Sequence, residues 1–356
     1  MRFAKPYSFA IYYLCLLLLH CSVPLKNQVD SLFSIYAGKN VPGAALLIIR
    51  DGQPILKRCY GMADVERNIP VTEQTNFRLA SLTKQFTAMG IMMLHQRGLL
   101  SYDQPVTDIF PDFPAYGRKI TIRHLLTHTS GLIDYESLIP DTATIQVLDK
   151  DVLQMMMAQD STYFPPGSQY RYSNSGYAVL AMIVEKVSGQ RFAQFLAENI
   201  FQPLRMNHTV AYERGISEVS HRAYGYANEN GQLVPKDQSL TSAVLGDGGI
   251  YSSIEDLFKW DQALYTERLV RTETLQQAFT PGKLNDGTAL DYGFGWRIDV
   301  YRGVKRYHHT GQSCGFATII QRYPEKRFSI IILTNRNEPM LTRLADQLAD
   351  WFLFGR

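Results

Sequence analysis

The 356-residue sequence is poor in cysteine, in long apolar runs and in excess charge of either sign. Its formal net charge is only +3, and no basic run with interleaved aromatic residues occurs, so a nucleic-acid partner is not expected. It has no repeat of about 20–50 residues and no low-complexity tract, which excludes solenoid and disordered architectures. With 46% hydrophobic and 19% charged residues, its composition is that of a globular enzyme of one large domain or two closely joined subdomains.

The N-terminal segment has the pattern of an export signal. Arg2 and Lys5 precede an apolar run from Phe9 to Leu19, which as a helix would cover about 16 Å of a bilayer core about 30 Å thick. We therefore expect residues 1–21 to direct export rather than span a membrane, and the mature protein to be periplasmic or secreted. Residues 18–21 read Leu-Leu-His-Cys, so membrane attachment through a lipidated Cys21 is the alternative to a plain secretory peptide.

Beyond this segment the chain contains only two cysteines, Cys59 and Cys314. They could pair in an oxidising compartment, but the sequence does not show whether their Cα atoms are close enough. We expect two free and largely buried thiols.

Strands are predicted near both ends of the chain. The segments 44–50 and 55–60 flank Asp51-Gly52, a residue pair suited to the positive φ angles of a tight hairpin turn. Near the C-terminus, glycines and Pro324 separate four more predicted short strands, at 292–300, 304–309, 316–323 and 328–334. An amphipathic helix is predicted to follow them over residues 340–352.

The middle of the chain is predicted to be helix and loop. Residues 84–97 are apolar almost all round, so they should form a buried central helix that ends at Gly98. Further helices are predicted at 120–127, 151–158, 177–188 and 192–199. The expected fold class is α+β: an antiparallel sheet built from both chain ends and flanked by helices, with a mainly helical subdomain inserted. The sheet subdomain would comprise residues 28–100 and 245–356, the helical one residues 101–244, with a cleft at their junction.

Three short segments carry the chemistry, and the first is Ser81-Leu82-Thr83-Lys84 at the start of the central helix. Residues three apart share a helix face, so Lys84 can lie beside the Ser81 hydroxyl. The free backbone N–H groups of a helix start can also stabilise a developing oxyanion. By itself the pattern equally fits an N-terminal cap followed by a solvated lysine, although a lysine on so apolar a helix should be partly buried.

The second segment is Tyr172-Ser173-Asn174, after a Pro-Pro-Gly loop, and the third is His309-Thr310-Gly311 in a predicted strand. Together, in this order and spacing, the three resemble the motifs of the β-lactamase and penicillin-binding-protein superfamily. The resemblance is to its class C-like branch, which uses Tyr-x-Asn and includes D-alanyl-D-alanine carboxypeptidases, D-aminopeptidases and esterases. It covers about residues 30 to 350 and extends to the segments 77–84, 125–132, 166–177, 200–204 and 246–253.

The resemblance implies a β-lactamase/transpeptidase-like fold and a serine hydrolase that works through an acyl-enzyme, without cofactor or metal. Ser81 would attack the carbonyl, and Lys84 would take its proton or tune the hydrogen-bond network. Tyr172 would transfer a proton towards the leaving group. Asn174 would bind the substrate together with the third segment, and the backbone N–H groups of Ser81 and Gln312 would bind the oxyanion. Because a lysine base needs its pKa lowered by roughly 3 units, about 4 kcal/mol, we expect the lysine and the phenol to share one proton.

The third segment departs from the pattern of most β-lactamases, which read Lys-Thr-Gly. That lysine helps to hold the substrate carboxylate in β-lactamases and in carboxypeptidases. His309 stands there instead, and imidazole, with a reference pKa of about 6.5, is mostly neutral at pH 7. His at this place also occurs in D-aminopeptidases and esterase-like members. We therefore favour a D-amino-acid peptidase, a carboxypeptidase or an esterase over a class C-type β-lactamase. Its partner would be a small molecule or a peptide, including cell-wall peptides and β-lactams.

Two other motifs suggest different chemistry. Ser313 is the serine of a Gly-x-Ser-x-Gly pattern, but a strand is predicted after it and no histidine lies downstream, which argues against an α/β-hydrolase nucleophile. His124 and His128 are four residues apart, but Leu125 stands where the metalloprotease pattern needs glutamate. We expect both histidines to be structural and predict no metal.

A non-enzymatic alternative is a penicillin sensor or an inactive scaffold, which would be acylated once or never. The presence of Ser81, Lys84 and Tyr172 together argues against an inactive scaffold. Repeated turnover of a chromogenic ester or β-lactam would distinguish an enzyme from a sensor, because a sensor gives one burst and stops.

Overall fold

The computed structural model describes residues 25–338 and 340–356. The predicted export signal over residues 1–21 and its Cys21 lie outside the described residues. Within the described ranges, no helix is long and apolar enough to cross a bilayer.

The longer strands are grouped towards the two ends of the chain, and a run of helices lies between β5 and β6. In chain order the strands are β1 (Ala44–Arg50), β2 (Gln53–Tyr60), β3 (Met62–Asp64), β4 (Ile69–Pro70), β5 (Phe77–Arg78), β6 (Val210–Ala211), β7 (Tyr226–Glu229), β8 (Gln232–Pro235), β9 (Ile250–Ser252), β10 (Arg297–Tyr301), β11 (Val304–Ser313), β12 (Phe316–Tyr323) and β13 (Phe328–Thr334). The α-helices are α1 (25–32), α2 (Lys84–Gln96), α3 (Val106–Ile109), α4 (Ile122–Leu126), α5 (Asp149–Met157), α6 (Asn174–Ser188), α7 (Phe192–Leu196), α8 (Leu245–Gly248), α9 (Ile254–Ala263), α10 (Thr272–Ala278) and α11 (Leu341–Phe352). Short 3₁₀ turns lie at Ser34–Tyr36, Ala80–Thr83, Ala115–Lys119, Tyr135–Leu138 and Pro324–Lys326, and a π turn at Ala197–Phe201.

Six strands from the two chain ends form one antiparallel sheet in the order β10-β11-β12-β13-β1-β2. The two ends meet where β1 pairs with β13, from Ala44 opposite Thr334 to Arg50 opposite Phe328. The α-helices between β5 and β6 lie in the middle of the chain, so the predicted α+β architecture, with its sheet from both ends and its helical insertion, is confirmed. The β1–β2 turn has the expected left-handed backbone, with φ of 50° at Asp51 and 75° at Gly52.

Both faces of this sheet are covered, which explains why its inner strands are continuous apolar runs. On β1, Leu46 and Ile48 join a core that includes Leu344 and Leu348 of α11. The alternate residues, among them Leu47, belong to the larger core that also contains α2 and α9. Strands buried on both faces have no polar side to alternate with, so every residue from Ala44 to Ile49 is buried.

Element boundaries differ from the predictions near the catalytic segments. The strand expected from residue 292 begins only at Arg297, because Gly295 turns with φ of 76° against the start of α2. A Cβ at Gly295 would lie 2.8 Å from the Lys84 carbonyl oxygen, so a regular side-chain-bearing strand cannot pass there. β11, expected to end at residue 309, continues to Ser313 because it stays paired with β12.

A buried ion pair ties α9 to the sheet. The Asp261 carboxylate accepts hydrogen bonds from Arg322 Nε at 2.6 Å and from Ser329 Oγ at 2.7 Å. All three side chains are almost fully buried. The carboxylate is thus the counter-charge of a guanidinium that water cannot reach.

Asp261→Ala should lower the free energy of unfolding by about 3–5 kcal/mol, because it leaves the Arg322 charge buried and unpaired. Ser329→Ala is the matched control: it removes one neutral donor from the same carboxylate and should cost about 1 kcal/mol. Urea unfolding of both variants measures the difference. Equal losses in the two variants would contradict an ionic role for this contact.

Candidate active site

Ser81 lies in the 3₁₀ turn Ala80–Thr83, which runs directly into α2 at Lys84. Ala80, immediately before the serine, has φ of 49°, a conformation that residues with a Cβ rarely adopt. The hydroxyl is therefore presented from a constrained turn that surrounding packing holds in place. Lys84 Nζ lies 3.0 Å from Ser81 Oγ.

Lys84 is fully buried, and its three hydrogen-bond partners are all close. Besides Ser81 Oγ, they are Asn174 Oδ1 at 2.9 Å and the Asp247 carbonyl oxygen at 2.8 Å. An amide oxygen and a carbonyl oxygen can only accept, whereas a hydroxyl can accept or donate. A protonated amine would donate to all three. A neutral amine would donate to the two fixed acceptors and turn its lone pair towards Ser81, so the site accommodates both forms.

Tyr172 reaches the same place from the loop before α6. Lys84 Nζ lies 5.0 Å from the centre of its ring. The phenol hydroxyl is buried and has no hydrogen-bond partner within residues 25–338 and 340–356. The three predicted catalytic side chains thus converge on one point, and the proton-transfer role of the phenol stays a prediction.

The third segment passes beside the serine turn on β11. A Cβ at Gly311 would lie 2.2 Å from the Leu79 carbonyl oxygen and 3.0 Å from the Ser81 backbone nitrogen, so only glycine allows this approach. Gln312, the next residue, lines the cleft together with Ser81. Thr310 is exposed on the strand. This places the predicted oxyanion-binding strand against the nucleophile, although the role of each N–H stays a prediction.

His309 occupies a different setting from that of a surface anion anchor. Its side chain is 2% exposed, its Nε2 lies 3.0 Å from the Tyr292 hydroxyl, and its Nδ1 lies 2.7 Å from the Thr310 carbonyl oxygen. Burial holds the pKa of His309 well below its usual range, and the nearby Lys84 charge adds to this. His309 is therefore a neutral imidazole enclosed within the protein. Its direct contact with substrate stays a prediction.

The sequence did not indicate Glu136. Its carboxylate accepts from Asn174 Nδ2 at 3.0 Å, while the amide oxygen of the same asparagine accepts from Lys84. Both polar ends of Asn174 are therefore engaged inside the protein, and its predicted contact with the substrate amide would require one of them to exchange partners. Glu136 lies in a 3₁₀ turn of the helical section without a recognisable motif, so no sequence signal pointed to it.

Asp247 is a second residue whose role the sequence did not reveal. Its carboxylate is buried, lines the cleft and accepts from the Tyr135 hydroxyl at 3.0 Å. Burial raises the pKa of Asp247 to about 6, opposed chiefly by the neighbouring Lys84 charge. From the sequence, the segment Gly246-Asp247-Gly248-Gly249 is recognisable only as part of the family-like segment 246–253. Its backbone contact with the lysine depends on the fold and could not be inferred from spacing.

Ser81 opens into a small cleft of about 60 Å³ between the helical section and the end of β11. Ser313 also lines this cleft, but β12 follows it rather than a helix, so it lacks the setting of an α/β-hydrolase nucleophile.

His124 caps α4 by accepting from the Thr121 backbone N–H. Cys59 and Cys314 are free and half-buried. In the described part of the chain, no three potential ligands are grouped to hold a metal ion.

A family model described as Beta-lactamase matches residues 29–352. The chain belongs to the β-lactamase family. A curated relative, penicillin-binding protein 4* of Bacillus subtilis (strain 168), is 35% identical over 348 residues, which are 93% of this chain and 76% of that protein.

Solved structures agree with this family assignment. The octameric penicillin-binding protein homologue from Pyrococcus abyssi superimposes with a TM-score of 0.78 at 26% identity, over 94% of this chain and 76% of that one. The D-amino acid amidase from Ochrobactrum anthropi SV3, complexed with L-phenylalanine amide, gives a TM-score of 0.74 at 26% identity, over 88% of this chain and 91% of that one. The predicted family and fold are confirmed, and the chain is a β-lactamase-like serine hydrolase at the level of the family.

His309→Gln should alter how stability depends on pH. Burial keeps His309 neutral in the fold, whereas in the unfolded chain it takes up a proton near pH 6.5, so the folded state loses about 1.4 kcal/mol per pH unit below that value. The stability advantage of wild type over the variant should therefore shrink as the pH falls from about 7.5 to about 5. Urea unfolding of both proteins across this range gives the difference, and parallel curves would contradict a buried neutral imidazole.

Proposed function

We propose that this protein hydrolyses amide or ester bonds through an acyl-enzyme on Ser81, as a D-amino-acid peptidase, carboxypeptidase or esterase. The main support is the contact of Ser81 Oγ with the fully buried Lys84 amine, 3.0 Å away. A lysine is expensive to bury and needs a specific reason to be there. Activation of an adjacent hydroxyl is such a reason.

In the proposed acylation, the Ser81 proton moves to Lys84 Nζ as Oγ attacks the substrate carbonyl carbon. The developing oxyanion accepts from the backbone N–H groups of Ser81 and Gln312. Tyr172 delivers a proton to the departing amine or alkoxide, and the Lys84 proton replaces it. Water then hydrolyses the ester on Ser81 by the same route in reverse. Each positioned proton transfer contributes typically about 10²–10⁴ in rate.

Charge around the cleft supports a D-aminopeptidase or an esterase over a β-lactamase or a carboxypeptidase, because the substrates of the last two carry a carboxylate. The position where most β-lactamases hold a substrate carboxylate carries a buried, neutral imidazole, His309. Of the charged residues that line the cleft, Arg78 and Asp247 are buried, whereas Glu136 is exposed. An accessible negative charge suits a neutral substrate, or one with a free ammonium group, better than an anion. The relation to D-amino acid amidase points in the same direction.

Ser81→Ala should reduce hydrolysis of the preferred substrate by at least about 10³ while leaving the fold intact. The panel should contain a D-amino-acid p-nitroanilide, a peptide ending in D-Ala-D-Ala, p-nitrophenyl acetate and nitrocefin, with circular dichroism as the folding control. Near-full activity of Ser81→Ala would overturn the mechanism. Preference for nitrocefin would establish a β-lactamase instead, and a single burst without turnover would establish a sensor.

Glu136→Gln should raise KM about tenfold for a D-amino-acid amide with a free ammonium group, because the charge is lost while an oxygen remains for Asn174. The KM for p-nitrophenyl acetate, a neutral substrate, is the internal control and should stay within about twofold. Steady-state kinetics on both substrates measures the ratio. An equal effect on the two KM values would show that Glu136 does not recognise charge.

A further inference from the structure

His128 lies just after α4 in an unusual backbone conformation. Its φ is 58°, in the left-handed region that glycine and asparagine tolerate best, and its side chain is fully buried. A non-glycine residue keeps this conformation only where its surroundings hold it, and such residues are often found at functional sites. From the sequence, His128 is expected to be structural, and it lies in the family-like segment 125–132.

Two of these contacts bracket the catalytic tyrosine. The His128 carbonyl oxygen accepts from the backbone N–H of Arg171 at 2.9 Å. Its ring Nδ1 accepts from the backbone N–H of Ser173 at 3.1 Å. The residues directly before and after Tyr172 are therefore both fixed to one histidine, which leaves the tyrosine backbone little freedom to shift.

The imidazole also packs on the phenol that it brackets. The centroids of the His128 and Tyr172 rings are 4.2 Å apart, and the other aromatic neighbours of His128 include Tyr292 at 4.6 Å and Tyr177 at 5.1 Å. The phenol ring is thereby confined on one side while the Lys84 amine lies 5.0 Å from its centre. Ring and backbone contacts together fix both the origin and the direction of the Tyr172 side chain.

The imidazole must stay neutral to do this, because a protonated Nδ1 could not accept from Ser173. Burial lowers the pKa of His128 well below its usual range, and the positive charges that face it, Lys84 and Arg297, lower it further, as does His309. Tyr177 and Tyr292, which pack around it, are neutral phenols because burial raises the pKa of each well above its usual range. Nothing among these neighbours supplies the negative charge that would stabilise an imidazolium.

We propose that His128 is a positioning residue for the catalytic phenol of Tyr172, acting through two backbone hydrogen bonds and one ring contact. This rests on the proposed function, in which Tyr172 transfers the proton to the leaving group. His128 touches neither substrate nor nucleophile. Its loss should therefore slow the chemical step while substrate binding changes little.

A double-mutant cycle with Tyr172→Phe tests this directly. His128→Ala should lower kcat about 10²-fold and leave KM within about twofold. In the Tyr172→Phe background, where no phenol remains to be positioned, the same substitution should cost less than about threefold. His128→Asn keeps a side-chain acceptor and tolerates a positive φ, so it should restore kcat to within about tenfold of wild type.

His124→Asn is the matched control, because this histidine also accepts from a backbone N–H through Nδ1 but lies away from the tyrosine. It should leave kcat unchanged. An equal cost of His128→Ala in both backgrounds would overturn the proposal, and so would an effect confined to KM. If His128→Ala does not fold, a His128→Asn variant with no loss of folding but a full 10²-fold loss of kcat would overturn it as well.

The outcome also separates this inference from the function on which it rests. Full activity of Tyr172→Phe would remove the catalytic role of the phenol and with it the role of His128, while leaving a Ser81 mechanism intact. An active Ser81→Ala would instead overturn the proposed function itself.

Discussion

The burial of one amine at the start of α2 is the constraint on which the site depends. Lys84 has no access to solvent, so each of its hydrogen-bonding protons needs a protein acceptor. Three parts of the chain supply them: the serine turn, the first residue of α6 and the backbone of α8. The sheet subdomain and the helical section are therefore held in register by the group that would activate the nucleophile. If these parts of the chain moved apart, the buried amine would lose its hydrogen-bond acceptors. The three contacts therefore stabilise one another.

The surrounding structure keeps this point compact. Gly311 lets β11 approach the serine turn to a distance that any side chain would prevent. His309 and His128, both buried with lowered pKa values, enclose Tyr172 as neutral rings, so they add no positive charge next to the lysine. The exposed carboxylate of Glu136 lies at the cleft.

Much of the fold followed from pattern alone. The apolar runs that became β1, β12 and β13 have sharp ends marked by turn residues, and the uniformly apolar stretch after Ser81 could only be a buried helix. The predicted element boundaries were wrong where tertiary contacts set them, as at Gly295, which turns because α2 lies against it. The candidate catalytic residues could be named from the sequence because their spacing matches a family pattern. The sequence did not indicate Glu136 or the carbonyl of Asp247. Their contacts with Asn174 and Lys84 join segments that are distant in the chain, and no spacing pattern predicts such contacts.

In the proposed mechanism, contact with Lys84 makes the Ser81 hydroxyl nucleophilic. Active-site labelling tests this reactivity without knowledge of the natural substrate. A fluorophosphonate probe, followed by peptide mass spectrometry, should label Ser81 in the wild-type protein. Lys84→Met keeps a long side chain but removes the amine, and its labelling rate should fall by at least about 10²-fold with the fold retained. Equal labelling rates for the two proteins, or label on another serine such as Ser313, would contradict the account.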